Sequence, residues 1–319
     1  MDKQSENTPK RGIIKKGISI LAVAAVAGYT VWRWDQLLPA LKQTDGYWVL
    51  LGICLYYMNY YFRARRFVAL AHNGIRLFPE AVHAASIHGI ASYLMPVRSG
   101  DLALPFILKS SCNLSLSQGS SLLIKARLLD ISILGLFTLW AALLSFKRFS
   151  FMFSIVWLLT GLGMLLSFLI ISFSGRKLAS LVSRYSDKIS RLFSIETATP
   201  EEILLSILIW LFIGLGYYCV ARAIRLNISY SDIWLLITIQ LPLQLLPIQG
   251  IANAGNHEAG WVAGLVLLGF TPDKALDYAL ISHAVFILYV FVLGIPLVLT
   301  KQKFWVKPFN SFTKKRLGD

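Results

Sequence analysis

Two stretches of this chain have no place in a water-soluble fold. Leu204 to Ala221 reads "LLSILIWLFIGLGYYCVA" and Tyr278 to Leu299 reads "YALISHAVFILYVFVLGIPLVL", with no Asp, Glu, Lys or Arg in either. About 20 consecutive apolar residues cross the hydrocarbon core of a bilayer as a helix. The remaining composition points the same way. Mean hydropathy is +0.62, 56% of residues are hydrophobic and only 15% are charged, against about 25% charged in a soluble domain. The sequence therefore predicts an all-α integral membrane protein, with residues 1–319 forming a single membrane domain. The "LAVAAVAG" run near the start follows a long polar tail and lacks a convincing cleavage site, so it reads as a retained first span rather than a signal peptide.

Six full spans are predicted: Gly17–Trp34, Tyr47–Phe62, Ser120–Phe146, Phe151–Phe173, Ile203–Ala223 and Ala275–Thr300. Between them lie two regions of different character, 81–112 and 232–270. Each has two apolar arms of about 15 residues or fewer, joined by a break containing Pro and Gly, and arms this short do not span. The pattern predicts re-entrant helical hairpins that enter and leave on one side of the membrane. Non-helical backbone at that depth needs protein or a water cavity around it. Pro96, Pro105, Pro242 and Pro247 are expected to break or kink the arms.

The net charge of +15 is expected to face anionic headgroups rather than nucleic acid, because no basic, aromatic-interleaved soluble domain is present to bind it. Its distribution orients the chain. With both hairpins re-entrant and a cytoplasmic N-terminus, the inside segments are the tail 1–16, the loops 63–76 and 176–191, and the tail 301–319. They hold 20 Lys and Arg, against 7 on the other side. This agrees with the positive-inside bias. It sends the first hairpin in from the cytoplasm and the second from the opposite face. The two copies also align loosely. "LMPVRSGD" (Leu94 to Asp101) matches "LLPIQGIANAGNHE" (Leu245 to Glu258), and the following stretches pair Ser115 with Thr271 and Arg127 with His283. Ser115 and Thr271 are natural N-caps. The expected plan is an inverted repeat, residues 47–173 and 203–300, with broken helices meeting near the midplane.

Polar groups at membrane depth need a partner or a role. Asp101 and Glu258 open the second arms of the two hairpins, where an acid also stabilises a helix N-terminus. Arg98 is a candidate partner for Asp101. Lys125 suits snorkelling to the surface. Arg127 lies deeper, with Asp130 three residues on, and a guanidinium binds phosphate through a planar fork of donors. His257, Asn253, Asn256, Gln240, Gln244 and Gln249 add polarity around the second hairpin. His83, His88 and His283 more often pack than ligate. "HEAGW" lacks the second histidine of a zinc-hydrolase motif. Cys54, Cys112 and Cys219 have no metal or disulfide spacing and read as buried thiols. No catalytic residue, metal or cofactor is expected. "GLGMLL" (Gly161 to Leu166) reads as a packing device.

On "LMPVRSGD…ARLLD" and "LLPIQGIANAGNHEAGWVAGLVLLGFTPDKALDYALISHAV" the chain resembles the lysylphosphatidylglycerol synthase transmembrane family. This is the flippase-like membrane domain found in the multiple peptide resistance factor. The resemblance implies a lipid flippase with opposed re-entrant hairpins, and its functional pattern falls on Asp101, Arg127 and Glu258. His283 stands where the family usually has arginine, and the family's Pro-Gly-Gly-x-Gly run is altered to "PIQGIANAGN". No counterpart of that factor's soluble aminoacyl-transferase domain occurs here, so lysyl transfer is not expected.

The expected function is movement of a phospholipid or a polyprenyl-phosphate-type lipid between leaflets, through a polar cavity formed by Arg98, Asp101, Lys125, Arg127, Asn253, Asn256, His257, Glu258 and His283. The expected location is a bacterial inner or plasma membrane, with both termini cytoplasmic. The partners are membrane lipids, with a second copy of the chain or a lipid-modifying enzyme as protein partners to consider. The alternatives are an intramembrane enzyme acting on lipid head groups and a non-transporting partner of a glycosyltransferase or lipid-modifying enzyme.

Overall fold

The computed structural model describes residues 24, 26–72, 75, 78–95, 99–182, 198–245 and 250–299; the side chains of 36, 168–182, 241–245, 293 and 295–299 lie outside the description. Among the described residues every regular element is a helix. In chain order these are α1 (Trp34–Lys42), α2 (Gly46–Leu70), α3 (Phe78–Leu94), α4 (Ser99–Cys112), α5 (Leu116–Leu144), α6 (Phe151–Val182), α7 (Pro200–Ala223), α8 (Tyr230–Leu245), α9 (Asn256–Leu267) and α10 (Pro272–Leu299). A 3-10 turn, Ile251–Asn253, precedes α9.

Three helices among the described residues are long and apolar enough to cross a membrane: Leu116–Leu144, Pro200–Ala223 and Pro272–Val292. They correspond to three of the six expected spans. The apolar part of α6 covers Phe151–Ser167 and is shorter. Of the span expected at Gly17–Trp34, residues 24 and 26–34 are described and 26–32 are helical; the tails 1–16 and 301–319 lie outside the described residues. The span expected at Tyr47–Phe62 is too short, because α2 runs on to Leu70. Arg63, Arg65 and Arg66 therefore sit on a helix rather than in the expected loop 63–76. The protein carries its remaining apolar surface outward: Phe151, Met152, Leu159, Leu143, Leu204 and Tyr57 are exposed, as suits a surface solvated by lipid.

Caps fix where the long helices begin. Ser115 accepts from the Gln118 N–H while Gln118 accepts from the Ser115 N–H, a reciprocal pair at the start of α5. Thr199 and Glu202 do the same for α7, with Pro200 in the first turn. Gly135 and Gly161 let α5 and α6 touch backbone to backbone. A Cβ on Gly135 would lie 2.7 Å from the Gly161 carbonyl oxygen, and one on Gly161 would lie 2.9 Å from Leu139 N. This is the packing contact read from "GLGMLL".

The two suspect regions do form helical hairpins, α3–α4 and α8–α9. Their arms hold 17, 14, 16 and 12 residues. At 1.5 Å per residue the longest reaches about 26 Å, short of a bilayer core of about 30 Å. Pro105 and Pro242 lie inside α4 and α8 without ending them; Pro96 and Pro247, at the tips, are outside the described residues. The hairpins start at opposite ends of the bundle. Phe78, opening α3, packs on Tyr61 near the end of α2, and nearby Arg65 pairs with Glu201 in the first turn of α7. At the other end Asp232, opening α8, pairs with Arg148 after α5 (2.7 Å), and Arg33 pairs with Asp277 in α10 (2.8 Å). The tips meet in the interior, where Tyr93 at the end of α3 lies edge-on to His283, which holds the Ala252 carbonyl of the second tip.

The first hairpin closes tightly. A Cβ on Gly100 would sit 2.2 Å from the Ala91 backbone carbon and oxygen. Those atoms cannot swing away as a side chain would, so Gly100→Ala forces the arms apart. We expect a loss of about 1–3 kcal/mol, read as a lower melting temperature of the detergent-solubilised protein. An unchanged melt would mean the arms tolerate separation there.

Candidate functional site

A cavity of about 600 Å³ lies between the hairpins and the long helices, within the size range of ligand pockets. Its polar wall is built by Asn59 and Arg63 of α2, Asp101 of α4, Arg127 and Asp130 of α5, and Gln240 of α8. Tyr56, Tyr60, Tyr93 and Tyr217 surround it. Leu102, also on the lining, is 71% exposed and marks where the cavity reaches the outer surface.

Two acids organise the charge. Asp130, 6% exposed, accepts from Arg66 at 2.6 and 3.3 Å, from Arg127 Nη1 at 3.1 Å and from Trp210 Nε1 at 3.1 Å. The predicted Arg127–Asp130 bridge is thus one part of a larger network. Asp101 accepts from Arg127 Nη2 at 2.5 Å and from Ser92 Oγ at 3.0 Å, and touches His88 Nε2 at 3.2 Å. Arg98, its expected partner, lies outside the described residues. Arg127 therefore clamps both acids, and its remaining Nε has no hydrogen-bond partner.

The second hairpin carries a matching pair. Glu258 lies in the first turn of α9 as Asp101 lies in that of α4. His283 and Arg127 each lie twelve residues after the aligned positions Thr271 and Ser115. Glu258 Oε2 accepts from the Gly255 N–H at 2.8 Å, and Oε1 contacts His283 Nδ1 at 2.5 Å. On its other edge His283 Nε2 meets the Ala252 carbonyl oxygen at 2.6 Å. Both atoms facing the ring are acceptors, so with Glu258 as carboxylate the ring donates from both nitrogens.

Of the nine candidates, Asp101, Arg127 and Asn253 line the cavity. Glu258 and His283 lie behind the second tip, both almost fully buried. His257 donates from Nε2 to Ser282 Oγ (2.9 Å), whose own proton goes to the Ala279 carbonyl, and it stacks on Trp261 and His283. Asn256 is buried in the first turn of α9. Lys125 does not snorkel: it is buried and pairs with the fully buried Glu202 at 2.9 Å. Cys112 and Cys219 are buried as expected, whereas Cys54 is exposed, on the outer face of α2.

Sequence reading missed Arg63, Arg66, Glu202 and the tyrosines. The signal available for Arg66 was its position: a helix that continues past Phe62 carries an arginine inward, and a buried arginine requires an acid.

A family model matches residues 18–294 of this apolar, helical chain. The chain belongs to the family described as the lysylphosphatidylglycerol synthase TM region. Comparison with curated proteins and with solved structures gave no match. Family membership and the apolar spans make this an integral membrane protein of a lipid-related family.

Proposed function

We propose that the protein is a lipid flippase that moves a phospholipid or a polyprenyl-phosphate-type lipid between leaflets without chemically altering it. α3–α4 and α8–α9 act as opposed re-entrant hairpins related by an inverted repeat. The head group occupies the cavity between them while the acyl chains stay in lipid at the Leu102 opening. The observation that carries this reading is the pair of equivalent acid–base contacts in unequal surroundings. Asp101–Arg127 faces the cavity, with Arg127 35% exposed, whereas Glu258–His283 is enclosed at 7% each. Two such sites, one open and one closed, suit alternating exposure, in which rocking of the repeats opens the second pair as it closes the first. The proposed setting is a bacterial inner membrane, with cytoplasmic termini and 16 basic residues in the tails 1–16 and 301–319 and the loop 176–191.

The test is scrambling in proteoliposomes containing fluorescent anionic, zwitterionic and polyprenyl-phosphate lipids. Wild-type protein should move at least one class. Arg127→Gln and Glu258→Gln should each reduce the rate about tenfold or more, since each removes at least one charge-assisted hydrogen bond, while keeping a folded elution profile. Full transport by both variants, or none by correctly inserted wild type, overturns the reading.

A further inference from the structure

Arg63 is the cavity's one cation left over once the charges are paired among the described residues. Arg66 and Arg127 neutralise Asp130 and Asp101 through the contacts above. Lys125 and Glu202 cancel each other away from the cavity. Arg63 is half-buried on the cavity wall and donates only through Nε, to Asn59 Oδ1 at 2.8 Å. Asn59 is itself buried, so the guanidinium is held at one corner and its Nη1–Nη2 edge is left without a partner. That edge is the fork that grips carboxylate and phosphate oxygens in pairs. Five further polar atoms on the lining lack a hydrogen bond among the described residues: Tyr60 Oη, Tyr93 Oη, Arg127 Nε, Gln240 Nε2 and Asn253 Oδ1. Four can donate and one accepts, a set that suits an anion carrying a hydroxyl group.

We propose that this cavity is a site for a phosphodiester monoanion, a lipid head group of net charge −1, with its phosphate on the Nη1–Nη2 edge of Arg63. The proposal rests on reading the cavity as a head-group site. A charge in a dry, low-dielectric site is costly unless paired. Among the described residues a monoanion leaves the cluster neutral, a zwitterion of net charge zero leaves the Arg63 charge uncompensated, and a phosphomonoester dianion overshoots. The unpaired groups at Tyr93, Gln240 and Asn253 would then bind the diester's polar substituent.

The experiment is equilibrium binding to the purified full chain in phosphatidylcholine nanodiscs. The probes are short-chain phosphatidylglycerol, phosphatidylcholine and phosphatidic acid, with deacylated glycerophosphoglycerol as a soluble diester. Phosphatidylglycerol should bind best. Arg63→Gln should weaken it about tenfold and leave phosphatidylcholine unchanged, and Arg63→Lys should recover part of the loss. Equal wild-type affinity for phosphatidylglycerol and phosphatidylcholine overturns the proposal, as does a preference that survives Arg63→Gln. If that variant does not fold, the ranking of head groups by the wild type decides. Equal binding of glycerophosphoglycerol keeps the diester site and assigns it to a soluble ligand. The same protein preparations, carried in parallel into the proteoliposome assay, separate the two readings. A charge preference in binding without transport keeps this site and removes the flippase, whereas transport with no charge preference does the reverse.

Discussion

Asp130→Ala is expected to destabilise the protein by about 3–5 kcal/mol, and Arg66→Met with Asp130→Leu should recover most of that loss. Arg66 is 3% exposed and Asp130 6%. Two of the four hydrogen bonds that Asp130 accepts come from Arg66, whose only other hydrogen-bond partner among the described residues is Ser206 Oγ at 3.1 Å. Removing the carboxylate strands a guanidinium that can never lose its proton. Removing both charges returns an apolar contact between α2 and α5, at the cost of freeing Arg127 Nη1 and Trp210 Nε1. Thermal or denaturant melts of the single and double variants in one detergent measure the coupling. A single variant that melts within about 1 kcal/mol of wild type would place the pair among weak surface-like bridges. A double variant no more stable than the single would show that Asp130 acts mainly through Arg127 and Trp210.

This network explains where the sequence was readable. The spans at α5, α7 and α10 follow from uninterrupted apolar runs, and both hairpins from short arms with Pro and Gly between them. Local rules were also enough for Ser115 as a cap and for the glycine contact at Gly161. The pairing of Glu258 with His283 was anticipated only as a parallel of sequence positions. Arg66, Lys125 and Arg63 were out of reach because charge near an apolar run usually means a loop or a snorkelling side chain. What reverses that meaning is an acid far along the chain: Asp130 lies 64 residues beyond Arg66, and Glu202 lies 77 beyond Lys125. No periodicity within one helix encodes such a partner. The tyrosines were hidden for a related reason, since aromatic residues in a membrane sequence equally mark the lipid interface.

The second large effect is expected at the other tip, where Glu258→Ala should release the 250–256 segment. Ala252 and Asn253 sit at φ 54° and 65°, a left-handed backbone that costs a residue with a side chain about 1–2 kcal/mol. Three contacts hold them there: Gly255 N–H to Glu258, Glu258 to His283, and His283 to the Ala252 carbonyl. Alanine at 258 removes the acceptor for two buried donors, each worth about 1–3 kcal/mol when left unpaired. It also frees His283 to turn away from Ala252. Amide exchange at 250–256 should then quicken about tenfold or more, while exchange in α4 of the first hairpin stays at the wild-type rate. Glu258→Gln keeps one acceptor oxygen and should fall between wild type and alanine. If exchange at the tip is unchanged in Glu258→Ala, the strained turn is held by its own packing, and the acid is left free for a role in binding alone. If the tip loosens and lipid transport falls with it in the same graded order, the carboxylate acts through the position of the hairpin.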